Sequence, residues 1–129
     1  MTEPISIIIV DDHEVVRKGL RGYLETLPDF DVVGEAGSGE EALALVAEYI
    51  PDIVLMDLIM PGMDGVETTR RVKKISPRTQ VVVLTSYHED IHIFPALKAG
   101  AVAYILKDMK MDKLADAIQR AVRGEIILH

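Results

Sequence analysis

IVLMDLIMPGMDGVETTRRVKKISPRTQVVVL, residues 53–84, carries the alternation that decides the fold. It opens on an apolar run, Ile53 to Met56, and crosses a loop containing proline and glycine. The apolar residues Val66, Val72 and Ile75 then recur at helical spacing. Asp64 followed by Glu67 has the spacing of a capping box at a helix start, and Pro77 marks the end. A valine-rich run, Gln80 to Leu84, follows. Two near-continuous apolar runs joined by an amphipathic helix read as parallel strands buried on both faces.

The same unit recurs on either side. Toward the N-terminus lie the runs Ile5 to Val10 and Asp31 to Glu35, and toward the C-terminus the run Val102 to Leu106. Val15, Val16, Leu20, Tyr23, Leu24 and Leu27 form one helical stripe. Ala42, Leu43, Leu45 and Val46 form a second, and Leu114, Ala117, Ile118, Ala121 and Val122 a last. Ser38 and Glu41 repeat the capping-box spacing, while Pro28, Pro51, Gly100 and Gly124 stand near the ends of periodic stretches. The linking segment Glu89 to Ala99 is shorter and less regular, and Pro95 removes an amide donor from it. Five strand–helix units predict an α/β protein with a doubly wound parallel sheet. For five strands, the flavodoxin-like (βα)5 order 2-1-3-4-5 is the leading candidate.

Composition sets the bounds. A chain of 129 residues suits one compact domain, residues 1–129, and its balance of 49% hydrophobic and 27% charged residues is that of a globular protein. No apolar run nears the roughly 20 residues that span a bilayer, and the start does not read as a signal peptide. Cysteine is absent, which excludes disulfides and thiolate metal sites and is compatible with a cytoplasmic location. A formal net charge of −7 argues against gripping nucleic acid unaided.

The residues that follow the strands carry the chemistry. Asp11 and Asp12 follow the first, Asp57 the third, Thr85 and Ser86 the fourth, and Lys107 the fifth. With order 2-1-3-4-5, the crevice between strands one and three gathers Asp11, Asp12 and Asp57 at the carboxyl edge. Singly, Asp12 reads as a helix N-cap, Asp57 as a loop anchor, Thr85 as a cap and Lys107 as a snorkelling side chain. Together the three carboxylates repel, and burying them uncompensated costs on the order of several kcal/mol. With hard oxygen ligands alone, the expected counter-ion is Mg²⁺ or Mn²⁺. Phosphate is the usual reason for such an ion. Lys107 then supplies a charge, Thr85 a hydroxyl, and the amides near Leu58 and Ser86 further donors. Asp57, which ends the central strand, is the expected nucleophile.

These residues resemble the receiver domains of bacterial two-component response regulators. The resemblance rests on Val10-Asp11-Asp12-His13, on the run from Leu55 to Gly65 around Asp57, on Leu84-Thr85-Ser86, and on Lys98-Ala99-Gly100-Ala101 leading to Tyr104 and Lys107. It implies that Asp57 accepts a phosphoryl group from a sensor histidine kinase. Asp12 and Asp57 would ligate Mg²⁺ directly, Asp11 through water and Ile59 through its backbone carbonyl. Thr85 would move onto the phosphoryl group, Lys107 would bridge to it, and Tyr104 would swing inward behind Thr85. In finer detail, residues 11–20 and 93–100 resemble the LuxR/NarL-type regulators, particularly the LiaR-like branch. Those proteins continue into a DNA-binding helix-turn-helix domain, so the chain is expected to be a receiver portion of a transcription factor or a stand-alone receiver. They form homodimers on phosphorylation through helices one and five or through the helix-four to helix-five face. The apolar stripes favour helices one and five.

Departures from the family pattern refine these expectations. Asp108 stands where many receivers have proline after the lysine, so a trans peptide is expected there. Ile59 and Tyr87 lack polar groups that would orient a hydrolytic water, which predicts slow self-dephosphorylation. A haloacid-dehalogenase-like phosphatase would need an acid at position 59, so catalytic turnover is not expected. Gly34 and Gly39 have the spacing of a phosphate loop, but Glu40 replaces its lysine and would repel phosphate. His88 and His92 read as surface residues rather than a zinc pair.

Overall fold

The computed structural model describes residues 3–85 and 93–128. The strands are β1 (Ile5–Val10), β2 (Phe30–Ala36), β3 (Ile53–Asp57), β4 (Gln80–Thr85), β5 (Ala103–Leu106) and β6 (Ile127–Leu128). The helices are α1 (Glu14–Glu25), α2 (Gly39–Tyr49), α3 (Gly65–Ile75), α4 (Ile93–Ala99) and α5 (Met111–Val122). All pairings in the sheet are parallel, and its order is β2-β1-β3-β4-β5-β6. The expected order 2-1-3-4-5 holds, with one strand added at the end.

Alternate residues of the central strands feed two cores. Ile7, Ile9, Leu55, Val82, Leu84 and Ile105 pack with Leu20, Leu24, Leu114 and Ile118 of α1 and α5. Ile8, Val10, Val54, Met56, Val81 and Val83 pack on the opposite face with Val46 of α2, Val72 of α3 and Ala96 of α4. Burial on both faces is why these strands read as continuous apolar runs. Both expected N-caps form: the Ser38 and Asp64 side chains accept hydrogen bonds from the amides of Glu41 and Glu67. Gly39, half of the phosphate-loop spacing, serves packing, since a Cβ there would stand 2.4 Å from Thr68 Oγ1 of α3. Within α4, Pro95 lies near the start, where a missing amide costs little.

The sixth strand departs from the five-strand expectation. Gly124, at φ +84°, ends α5 and lets the chain turn back. Glu125 pairs with Arg120 and Arg123 across that turn. Ile127 donates its amide to the Val102 carbonyl, and Ile127 and Leu128 stand opposite Ala103 and Tyr104. Ile127 is buried in the core, whereas Ile126 is 72% exposed. A two-residue strand has too little periodicity to be read in sequence; docking onto the β5 edge defines it. Ile127→Ala is expected to cost about 2 kcal/mol in urea unfolding, and Ile126→Ala less than about 0.5 kcal/mol.

Candidate functional site

Parallel registry brings the carboxyl ends of four strands to one edge. Val10 pairs with Met56, Asp57 with Leu84, and Thr85 with Leu106. Asp11 and Asp12 therefore leave β1 beside Asp57 at the end of β3, with Thr85 and Lys107 along the same edge. One oxygen from each of Asp11, Asp12 and Asp57, together with a ring nitrogen of His13, forms a cluster whose members all lie within 4.8 Å of one another. The convergence expected of the three aspartates is present.

The β3–α3 loop that follows Asp57 is held by backbone contact. The Gly65 amide donates to the Leu58 carbonyl at 2.9 Å. A Cβ on Gly65 would stand 2.4 Å from the Asp57 carbonyl oxygen and 2.5 Å from Leu58 Cα, so glycine is required by the closeness of the loop. The Leu58 side chain is buried beneath the site, while that of Ile59 is exposed and its amide donates to Asp57 Oδ1 at 3.3 Å.

Charge in this crevice is compensated by one ammonium in particular. Lys107 Nζ lies 2.7 Å from Asp11 Oδ2 and 3.5 Å from Asp57 Oδ1, and its side chain is largely buried. A surface-snorkelling role for Lys107 is excluded by that position. The Lys107 amide donates to the Thr85 carbonyl, so β4 and the start of the β5–α5 loop are joined next to the charge cluster. The described residues contain no cis peptide, in keeping with Asp108 after Lys107.

Burial pushes the Asp57 carboxyl up to about 6. The Lys107 charge opposes that rise, the Asp11 charge adds to it, and the Ile59 amide favours the ionised form. A carboxylate this strained by desolvation accepts a cation readily. Asp12 Oδ1 gives a second sign: it is buried and accepts no hydrogen bond. An unsatisfied oxygen beside two further carboxylates is a donor set suited to a hard divalent cation.

The other expected positions divide clearly. Thr85 is buried at the end of β4. Tyr104 is buried, on the face shared with Val83, Ala96 and Ala101. Ser86, Tyr87, His88, His92 and His129 lie outside the described residues, as does the first part of the segment Glu89 to Ala99.

Two side chains at the site escape a reading by pattern. His13 occupies the N-cap of α1, the place available to Asp12 by sequence, and makes no side-chain cap. Its amide donates to Asp11 Oδ1 at 2.8 Å, and its Nδ1 lies 3.1 Å from that oxygen and 3.3 Å from Asp12 Oδ1. Arg17 reaches back from α1, donating from Nη1 to the Asp11 carbonyl at 2.8 Å. For His13 the one sequence signal is adjacency to two aspartates; Arg17, one turn into α1, has none.

The response regulator receiver domain family matches residues 7–119. The chain belongs to that family. This receiver is 45% identical over 121 residues to the transcriptional regulatory protein LiaR of Bacillus subtilis, covering 94% of the chain and 57% of LiaR. To the response regulator VraR of Staphylococcus aureus it is 48% identical over 123 residues, covering 95% of the chain and 59% of VraR. It thus spans less than three-fifths of these LuxR/NarL-type relatives. Among solved structures, the signal receiver domain of the putative response regulator NarL from Mycobacterium tuberculosis superposes with a TM-score of 0.91 at 31% identity, covering 96% of this chain and all of that one. Receivers of this kind are signalling domains rather than turnover enzymes. Among the described residues, no helix is long and apolar enough to cross a membrane.

The raised Asp57 pKa has a definite sign in stability. Between the ordinary carboxylate value and about 6, the folded receiver holds a proton that the unfolded chain releases. Stability in metal-free buffer is therefore expected to fall as pH rises through about 6. Urea unfolding from pH 4 to 7 in the presence of a chelator measures this, and Asp57→Asn is expected to flatten the trend.

Proposed function

We propose that this receiver is a phosphorylation-dependent switch in which Asp57 takes a phosphoryl group from the phosphohistidine of a sensor histidine kinase, with Mg²⁺ as cofactor. The meeting of Asp11, Asp12 and Asp57 beside the Lys107 ammonium carries this reading. An Asp57 carboxylate oxygen forms a bond to phosphorus as the phosphorus–nitrogen bond breaks, and the imidazole leaves with the electron pair. Asp12, Asp57 and the Ile59 carbonyl would hold Mg²⁺, or in its place Mn²⁺, directly, and Asp11 through water. A divalent ion bound there neutralises charge on the phosphoryl oxygens.

The chain's own residues do the rest. Lys107 shifts from Asp11 toward the phosphoryl group, and the Thr85 hydroxyl with the Leu58 and Ser86 amides donates to its oxygens. Phosphorylation adds about −1.5 to −2 charge and strong acceptors, which is the driving force for that shift. Tyr104 adjusts with Thr85 and carries the change toward α4 and β5. The chemistry is limited to gain and slow loss of one phosphoryl group, in the cytoplasm. Control of transcription would pass through a helix-turn-helix domain outside this chain.

The direct test is intact mass after incubation with acetyl phosphate. A gain of one phosphoryl group is expected with Mg²⁺, none in the presence of a chelator, and none for Asp57→Ala. Phosphorylation of Asp57→Ala to the level of the parent would defeat the assignment.

The responding surface would recruit a second copy through α1 and α5. A groove of about 240 Å³ opens between these helices, lined by Val15, Val16, Leu20, Met109, Met111 and Leu114. Val15 is 85% exposed at its rim, an apolar side chain with no role in the core. On the alternative face, β6 already occupies the edge of β5. Val15→Asp is expected to abolish dimerisation in the presence of acetyl phosphate, measured by analytical ultracentrifugation, while leaving phosphoryl uptake intact.

A further inference from the structure

We infer that Arg17 is a positioning residue for the metal-binding loop, holding the Asp11–Asp12 peptide so that both carboxylates stay beside Asp57. The inference rests on the reading of the acidic cluster as a divalent-cation site.

Each polar group of Asp11 is held by a different element. Its amide donates to the Ala36 carbonyl at the end of β2, and its carboxylate takes hydrogen bonds from His13 and Lys107. Its carbonyl accepts from Arg17 Nη1 at 2.8 Å. That carbonyl belongs to the peptide leading into Asp12, so its orientation sets the direction in which Asp12 leaves the chain. Asp12 Oδ1 has no hydrogen bond of its own to fix it. Its placement is set by the approach of His13 Nδ1 at 3.3 Å and by the peptide that Arg17 holds.

Arg17 is itself anchored. Its Nε donates to Glu35 Oε1 at 3.1 Å, and the Glu35 side chain on β2 is 9% exposed. Burial works against the Glu35 carboxylate, yet hydrogen bonds from Arg21, Lys18 and Arg17 hold it below the usual carboxylate range. A planar guanidinium can span a carboxylate and a carbonyl with two fixed donors, which a single ammonium cannot do in the same way. Arg21 and Lys18 share Glu35, and Arg21 otherwise donates to Glu25 and to the Val32 carbonyl, away from Asp11. They supply the control.

The sign of the effect separates positioning from simple charge. A guanidinium one peptide away from the acidic cluster repels an incoming cation, so removing it for charge alone would tighten Mg²⁺ binding. Removing a support of the ligand loop weakens it, as loss of outer-shell partners does elsewhere.

The test is titration calorimetry of the metal-free receiver with MgCl₂. Arg17→Ala is expected to raise the Kd about 10-fold. Arg21→Ala is expected to stay within about 2-fold of the parent, because it leaves the Asp11 carbonyl bond in place. The ¹H–¹⁵N resonance of the His13 amide should move in the first variant and not in the second. Unchanged or tighter Mg²⁺ binding by Arg17→Ala would overturn the inference while leaving the metal reading in place. Absence of Mg²⁺ binding by the parent would overturn both. Should Arg17→Ala fail to fold, Arg17→Lys decides: weakened binding supports the positioning role, and parental affinity overturns it.

Discussion

Like charges brought together in a poorly hydrated crevice repel, and the receiver holds Asp11, Asp12 and Asp57 in that condition. The sheet cannot relax the strain, because the strands bearing these residues are locked by parallel registry and two buried cores. Lys107 relieves part of it at 2.7 Å from Asp11. Burial, with a smaller contribution from the Asp11 charge, keeps the Asp57 carboxyl raised, and Asp12 Oδ1 is buried without a hydrogen bond. A rigid scaffold that concentrates negative charge has a standing affinity for a divalent cation and for anything that brings one.

Strand β3 shows how far environment decides the chemistry of a side chain. It is flanked by one aspartate and ends on another, and the two have opposite fates. Asp52, at the amino edge, is opposed by burial. It nevertheless lies below the usual carboxylate range, because the Ser6 amide, Arg78 and the Ser6 hydroxyl bond to it. Asp57, at the carboxyl edge, is less well supplied with donors and is pushed up instead. Asp52 is a structural clamp between β1, β3 and the loop before β4. Asp57 is left with fewer donors. The difference lies in which strand ends surround each residue, and the parallel topology sets those neighbours.

Much of this was legible along the chain because the signals are local. The N-caps at Ser38 and Asp64 depend on spacing of three residues, and both side chains bond the amide three residues on. The central strands announce themselves by continuous apolar runs, since both faces are covered. Lys107 and Asp11 are far apart in sequence, yet each follows a strand, and strand ends of a parallel sheet share one edge. Other features left no local trace. Strand β6 has two residues and exists through its docking on β5. The approach of His13 to two carboxylates, and the span of Arg17 from Glu35 to the Asp11 carbonyl, depend on how α1 rolls against β2. Tyr104 is deeply buried because α4 and the neighbouring strand close over β5, a matter of packing rather than alternation.

The order of amino acids by itself determined the alternating α/β architecture, the edge on which the site would lie and the acidic residues that would gather there. Periodicity and capping act within a few residues, and right-handed crossovers leave little choice of handedness. Only the tertiary structure decided the distances among those acids, the pairing of Lys107 with Asp11 and the brace that Arg17 makes. Coulombic and hydrogen-bonding energies fall steeply with separation and angle, and those separations are settled by how helices seat on the finished sheet.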